Sequence, residues 1–348
     1  MLRFKPMVET STYRRVLVTG SHGFLGRHVV RALVDGGHGV RAATHGQSRE
    51  AGTVEPRAAD ARSGDARADD EEIESCRLDV TDAQSVTEAM DGVDAVVHLV
   101  GVIRERGAYT FDAVNRLGTA NVVDAAREAG VRTFVHVSAV GVTDSPEFPY
   151  LLSKWRGEQA VIGGGVPYTI LRGSTFFGAG DGFIGTLAAL VKAFPVIPVP
   201  GSGRTVYQPM YVQDMARCVV ATLNLQELRG QILDLGGPHH LTHDGILDII
   251  AGTYHLRRFK LHVPLTLMRG MVAVMERVSP HPPATLHQLR MLSVDSVTEL
   301  DLVERTFGFQ PRPLEGSIDY IRDISSWKAL KLSLGFPGRR GPQPDRPE

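Results

Sequence analysis

Tyr150 and Lys154 stand four residues apart in Tyr150-Leu151-Leu152-Ser153-Lys154, so in a helix they share one face. A phenol is a poor base at neutral pH, with a free pKa of about 10. A neighbouring ammonium favours the phenolate and lowers that value, so the pair can give or take a proton at a carbonyl or alcohol. Such chemistry needs a hydride carrier. Upstream, the apolar run Val16-Leu17-Val18 ends in Gly20-x-x-Gly23-x-x-Gly26, and a second apolar run spans Val29 to Val34. Strand, tight turn and helix in that order form the setting of a dinucleotide-binding turn. Gly20 lets the chain leave the strand sharply, with Ser21 inside the turn. Gly23 removes a side chain that would block a pyrophosphate, and Gly26 lets the helix lie against the sheet. Phosphates would rest on N–H groups at the positive end of that helix. Plainer readings exist for both motifs: Y-x-x-x-K arises by accident, and a glycine turn can bind nothing.

The elements that must position these residues alternate in the first half. Strands are expected at Val16–Thr19, Val40–Thr44, Ala95–Leu99 and Thr133–Ser138. Helices are expected at Phe24–Val34, Ala83–Met90, Phe111–Glu128 and Tyr150–Val161. Near-continuous Val-rich strands between amphipathic helices predict a Rossmann-like, doubly wound parallel sheet of the α/β class. Asp82 and Asp91-Gly92 bracket the second helix, and Ala129-Gly130 ends the third. Residues 47–75 break the rhythm. Rich in Ala, Arg, Asp, Glu and Gly, they read as a solvated insertion on the sheet rim. The second half changes character, predicting a smaller, mainly helical substrate portion over 173–335 that partly returns to the sheet, after a nucleotide-binding domain over 14–172. Gly178–Gly203, with Pro195, Pro198 and Pro200, predicts little regular structure. Helices are expected at Asp214–Leu223, Thr242–Ala251 and Pro264–Val278, with helical patterns at Val297–Thr306 and Leu314–Ile324 and a strand at Gln231–Leu235. Residues 336–348 read as a disordered tail.

Bulk properties narrow the function classes. The chain has 348 residues, 43% hydrophobic and 22% charged, with a formal net charge of -1. That balance suits a globular enzyme and argues against a nucleic-acid binder held by phosphate contacts. The two cysteines, Cys76 and Cys218, have no metal-ligand spacing and suit a reducing, cytoplasmic compartment. No metal site is expected. Met1 to Tyr13 lacks the apolar core of a secretory signal, and no run is long enough for a transmembrane segment. Val263 to Val278, interrupted by Pro264, Arg269, Glu276 and Arg277, reads as a packed helix, with a helix on a membrane surface as the alternative.

Further segments carry a family resemblance. Thr19-Gly20-x-x-Gly23-x-x-Gly26, Asp79-Val80, His98-Leu99-Val100-Gly101, Asn115 with Gly118-Thr119, and Tyr150-x-x-x-Lys154 resemble the extended short-chain dehydrogenase/reductase superfamily. Val131–Ala139, Ser153-Lys154-x-x-Gly157-Glu158, Tyr168–Arg172 and Gln208-Pro209-Met210-Tyr211-Val212-x-Asp214 are most similar to its atypical, NAD(P)H-binding branch, which includes the 39 kDa accessory subunit of respiratory complex I. The resemblance spans Arg14 to Ile324. It implies that Phe24 and Leu25 open the helix over the pyrophosphate, that Asp79 and Val80 approach the adenine, and that Val100 and Gly101 line the path to the nicotinamide ribose. It also implies that Tyr150 and Lys154 form the acid/base pair, that Lys154 bonds the cofactor ribose, and that Arg172 begins the segment closing under the nicotinamide. His98 reads instead as a core histidine, and Asn115 equally as a helix residue bonding backbone.

One departure weighs against catalysis. Where catalytic members place a Ser or Thr that polarises the substrate carbonyl, Ser138 is followed by Ala139. Ser138 could serve only if the strand end shifted by one residue, which would reverse its facing. Loss of one such donor costs about 10²- to 10³-fold in turnover. At the second strand end the chain reads Arg41-Ala42-Ala43-Thr44-His45, without the acid that accepts from a ribose 2′-OH. Thr44, His45 and Arg49 suit a 2′-phosphate, so NADP(H) is favoured over NAD(H); Arg41 is a weaker candidate. Three functions follow in order. The first is an oxidoreductase acting on a small carbonyl or alcohol. The second is a non-catalytic nucleotide-binding accessory or assembly factor of a respiratory membrane complex, peripheral to the membrane. The third is a sugar-nucleotide epimerase or dehydratase.

Overall fold

A computed structural model of the chain describes residues 13–45, 73–278, 285–291 and 294–333. Seven strands form one sheet in the order Ile232–Leu235, β6 (Tyr168–Gly173), β5 (Thr133–Ala139), β4 (Ala95–His98), β1 (Val16–Thr19), β2 (Val40–Thr44) and β3 (Ile73–Arg77). The pairings of β1 with β2 and β4, of β2 with β3 and of β4 with β5 are parallel. All four residues of β1 and of β4 are buried, as expected of strands covered on both faces. The sequence therefore foretold the class correctly: a Rossmann-like sheet followed by a mainly helical portion.

The helices follow from local signals. In α1 (Gly26–Asp35) Val29, Val30 and Leu33 are buried, while Arg27 and Arg31 point outward. The Asp82 side chain caps α2 (Ala83–Ala89) by accepting from the Gln84 amide at 3.1 Å. The expected helix over 111–128 is two pieces, a π-helical turn at Asp112–Gly118 continuing as α3 (Thr119–Glu128). The α4 helix (Pro149–Gly163) carries Tyr150 and Lys154.

By contacts the chain divides into two compact units. The first holds the described residues up to Val137 with Arg156–Ile170 and Val219–Gln231; the second holds Ser138–Trp155, Leu171–Cys218 and the described residues from Ile232 on. The core of the first unit gathers Leu17, Val96, Val122, Phe134 and Ile170. That of the second gathers Phe177, Ile184, Ile197, Ile246 and Ile250.

Several expectations are corrected. Residues 73–75, assigned to the insertion, open β3; Ile73 alternates with polar neighbours, so a short half-exposed strand at a sheet edge resembled loop composition. The other residues of that stretch, Arg49 included, and the tail 336–348 lie outside the described residues. Gly178–Gly203 contains α5 (Phe183–Ala193) and the strand Val196–Pro200. Most of its glycines and prolines flank these elements, with Gly185 inside the helix and Pro198 inside the strand, and the Asp181 carboxylate accepts from the Gly185 amide at 2.8 Å near the helix start. The strand pairs in parallel with Phe259–Val263. The helical pattern at Val297–Thr306 shrinks to Leu302–Phe307, and that at Leu314–Ile324 to a 3-10 turn at Asp319–Asp323. In the second of these, apolar Leu314, Ile318 and Ile321 reach the core without a continuous helix. The expected helices near 214, 242 and 264 are α6 (Val212–Asn224), α7 (His243–Thr253) and α8 (Leu265–Val278).

Arg41 is buried on β2 and donates to the carbonyls of Ala89 at 2.9 Å and Asp91 at 2.7 Å, and it pairs with Glu74 at 2.9 Å. It ties β2 to the end of α2. Arg41→Met is expected to destabilise the fold by about 1–3 kcal/mol, because two acceptors lose their donor. The midpoint of urea unfolding checks this, and an unchanged midpoint would contradict the tie.

Candidate functional site

In the first unit the glycine turn has the geometry its spacing foretells. Gly20 has φ +71°, a left-handed conformation that L side chains rarely adopt. The Gly23 amide donates to the Gly20 carbonyl at 2.9 Å, closing the turn. A Cβ on Gly26 would lie 2.1 Å from the Gly20 carbonyl oxygen and 2.8 Å from that of Ser21. The start of α1 therefore sits against the turn only because Gly26 lacks a side chain. No side chain caps α1 and its first turn holds no acid, which leaves the positive end suited to phosphate. Ser21 is buried, and its hydroxyl donates to the Ala43 carbonyl at 2.8 Å. Leu25 is buried at the head of the helix, while Phe24 lies edge-on to His28 under the Arg27 guanidinium.

Beside this turn lies a cleft of about 240 Å³. Its walls are Gly20, Ala43, Leu78, Val80, Val100, Val102 and Val114, with Asp79, His45 and Tyr109 among its lining. An apolar slot with a few polar groups suits a flat heterocycle. The polar groups form one cluster: His45 Nε2 lies 2.9 Å from the Asp79 carboxylate and 2.6 Å from the Tyr109 hydroxyl, which donates to Asp79 at 3.2 Å. Burial opposes ionisation of Asp79, yet hydrogen bonds from the Thr81 hydroxyl and amide, together with His45, hold its carboxyl below the ordinary value. Burial, then the Asp79 charge, pushes the Tyr109 phenol up.

Two buried polar residues brace the cleft. Asn115, in the π-helical turn, accepts from the Val102 amide at 2.8 Å and donates to its carbonyl at 3.1 Å. It acts as a second strand would, pinning the segment after β4. His98 is wholly buried between the hydroxyls of Thr19 at 2.8 Å and Thr119 at 3.2 Å, which matches its reading as a core histidine. Thr44 ends β2 half-buried, and its carbonyl accepts from the Leu78 amide at 2.7 Å. Gly101 is exposed just beyond Val100.

In the second unit, β5 ends with Ser138 buried and Ala139 half-exposed. The Ser138 hydroxyl has no hydrogen-bond partner among the described residues. Tyr150 is half-buried in the first turn of α4, and Lys154, one turn on, is buried. The Ser153 hydroxyl donates to the Tyr150 carbonyl at 2.7 Å. The sequence leads one to expect a lowered phenol. Burial instead pushes Tyr150 up to about 12, because the phenolate would lose its hydration. Arg172 on β6 pairs with Asp234 at 3.6 Å.

Residues 16–236 match the NAD dependent epimerase/dehydratase family. The chain belongs to this family. Among curated relatives, it is 26% identical over 285 residues to the NADH dehydrogenase (ubiquinone) 1 alpha subcomplex subunit 9, mitochondrial, of Arabidopsis thaliana, spanning 81% of this chain and 68% of that one. It is 31% identical over 243 residues to the ceramide reductase of Caulobacter vibrioides, spanning 69% and 70%. Its fold is similar to the UDP-glucose 4-epimerase of Thermus thermophilus solved with NAD, with a TM-score of 0.62 and 22% identity over 89% of this chain and 100% of that one. Resemblance to the extended short-chain dehydrogenases and to the complex I subunit, read first from short motifs, thus extends along most of the chain.

Tyr109 and Val102 are among the cleft residues that motif reading missed. Neither belongs to a spaced signature. Each comes from the segment between β4 and the π-helical turn, and its place becomes visible only through the Asn115 and Asp79 bonds.

For this epimerase/dehydratase relative, Gly26→Ala is expected to weaken nucleotide binding at least about tenfold, since the methyl cannot fit without opening the turn. Calorimetric titration with NADPH and NADH checks this, and wild-type affinity in the variant would contradict the close approach.

Proposed function

We propose that this family member is an oxidoreductase that prefers NADP(H) and reduces a carbonyl, with Tyr150 as the proton donor. The observation that carries this reading is Tyr150 itself: half-buried, one helical turn from a buried Lys154, and with a phenol held protonated by burial. When bound, the nicotinamide nucleotide supplies the hydride to the carbonyl carbon. Tyr150 gives its phenolic proton to the carbonyl oxygen, and Lys154 stabilises the phenolate left behind. The fit of the first unit to the nucleotide rests on the Gly20–Gly26 turn for the pyrophosphate, with Ser21, Phe24 and Leu25 around it. Asp79 and Val80 would meet the adenine, Val100 and Gly101 the nicotinamide ribose, and Arg172 the segment beneath the nicotinamide. A nucleotide-binding role for 14–172 and a substrate role for 173–335 belong to the same proposal. The ceramide reductase relative supports the reductive direction.

A second reading is favoured by Ala139 and by the buried, unpartnered Ser138 hydroxyl, which leave the carbonyl-polarising donor unassigned. On that reading the nucleotide is structural and the chain an accessory factor of a membrane complex, as its similarity to the complex I subunit suggests. A co-purified nucleotide that resists exchange and never changes redox state would establish it. Epimerase or dehydratase chemistry ranks third, since it draws on the same donor.

Two outcomes test the oxidoreductase reading. Tyr150→Phe should lower turnover by about 10²- to 10⁴-fold on a panel of small carbonyls and ceramides, with nucleotide affinity kept. With the phenol near 12, reduction should be flat in pH around neutrality, whereas alcohol oxidation should rise with pH as phenolate forms. Unchanged activity in the variant removes Tyr150 from the mechanism. On cofactor choice, Thr44, His45 and Arg49 would meet the 2′-phosphate. NADPH should bind more tightly than NADH, and His45→Ala should narrow the difference by about tenfold. Equal affinities in the wild type would overturn the preference.

A further inference from the structure

Within the second unit, α8 buries Met268 and Val272 in a small cluster with Val263 and Leu289. Its next face does the opposite. Leu267, Met271 and Val274, spaced to lie in one stripe, are 60%, 47% and 62% exposed. The strand leading into the helix also exposes apolar side chains. Phe259, Leu261 and Val263 alternate onto one side of Phe259–Val263. Val263 is covered by the α8 cluster, while Phe259 and Leu261 are 66% and 50% exposed. Val196 and Pro198, their register partners on the neighbouring strand, are exposed too. Two adjoining elements therefore expose apolar side chains that no described residue covers.

The surrounding charge says what could cover them. From Asp244 to Asp295 there are six Lys and Arg and four acids, in a chain whose net charge is -1, and two of those acids, Asp244 and Asp248, pair with His262 and Lys260. Glu276 is engaged by the Leu286 amide at 3.2 Å, and Arg257 and Arg277 are exposed. A cleft of about 320 Å³ opens at the residues flanking Phe259, lined by Arg257, Arg258 and Lys260 over Leu247 and Ala251. Lys260 is partly neutralised by Asp248 at 2.8 Å. A second copy of this chain would bring the same positive segment against itself, which disfavours self-association through this face.

We propose that this face docks on an anionic lipid membrane, with the α8 stripe and the Phe259–Leu261 surface in the acyl boundary and the arginines among lipid phosphates. Apolar insertion and basic attraction are the two contributions that hold a helix in a membrane interface. No helix among the described residues is long and apolar enough to span a bilayer, so the chain would lie on the surface through this face. The inference stands whether or not the nucleotide turns over.

Vesicle sedimentation of the full chain tests it. The protein should pellet with phosphatidylcholine vesicles containing about one third phosphatidylglycerol, not with pure phosphatidylcholine, and added salt should release it. Leu267→Gln/Met271→Gln/Val274→Gln and, separately, Arg257→Glu/Arg277→Glu should each weaken partitioning at least about tenfold, with thermal melting and nucleotide binding unchanged. If the triple variant fails to fold, the charge-reversal variant and the salt dependence of the wild type decide. Absence of binding to the anionic vesicles, equal binding to both compositions, or a concentration-dependent dimer abolished by the triple variant would each overturn the proposal.

Discussion

Where α1 leaves the turn, a side chain on Gly26 would stand 2.1 Å from the Gly20 carbonyl oxygen, far inside van der Waals contact. That close approach is the constraint on which the first unit depends. It brings the helix start to the end of β1, directs its positive end toward the turn, and leaves room beside Gly20 for a cleft. The parallel pairing of β1 with β2 and β4 places Ala43 and Val100 on either side of that opening. The proposed nucleotide site is thus a property of the strand-turn-helix geometry first and of individual polar side chains second.

The polar side chains then give the cleft its character. His45, Asp79 and Tyr109 converge from three separate segments into one hydrogen-bonded group on otherwise apolar walls. Asn115 holds the Val102 segment through both of its backbone groups, and the π-helical turn accommodates it. Such paired bonds convert a loop into a wall at little entropic cost once the helix is formed. The proposed preference for NADP(H) would rest on His45 in this group, and there the imidazole already has two partners with which a phosphate would have to share it.

Much of this was legible in the residues alone. The Val-rich strands, Asp82 as a cap and the three glycines state their structural roles locally, and each lies where its type predicts. Long-range effects were not legible. Tyr109 gains its place from partners thirty and more residues away, Arg41 turns from a candidate phosphate ligand into a tie between β2 and α2, and Tyr150 responds to burial more than to its neighbouring lysine. Composition also misled where glycine and proline crowd together. The helix Phe183–Ala193 lies among them because most of its own residues are apolar and helix-forming, and it accommodates Gly185 in its first turn.

On the proposed function, the apolar cleft beside the glycine turn holds the adenosine of a pyridine dinucleotide. A crystal structure of the chain soaked with NADPH tests it most directly. Adenine is expected between Leu78, Val80 and Val102, pyrophosphate on the Gly20–Gly26 turn, and the 2′-phosphate at His45. Density for the nucleotide elsewhere, or none at saturating concentration, would contradict it.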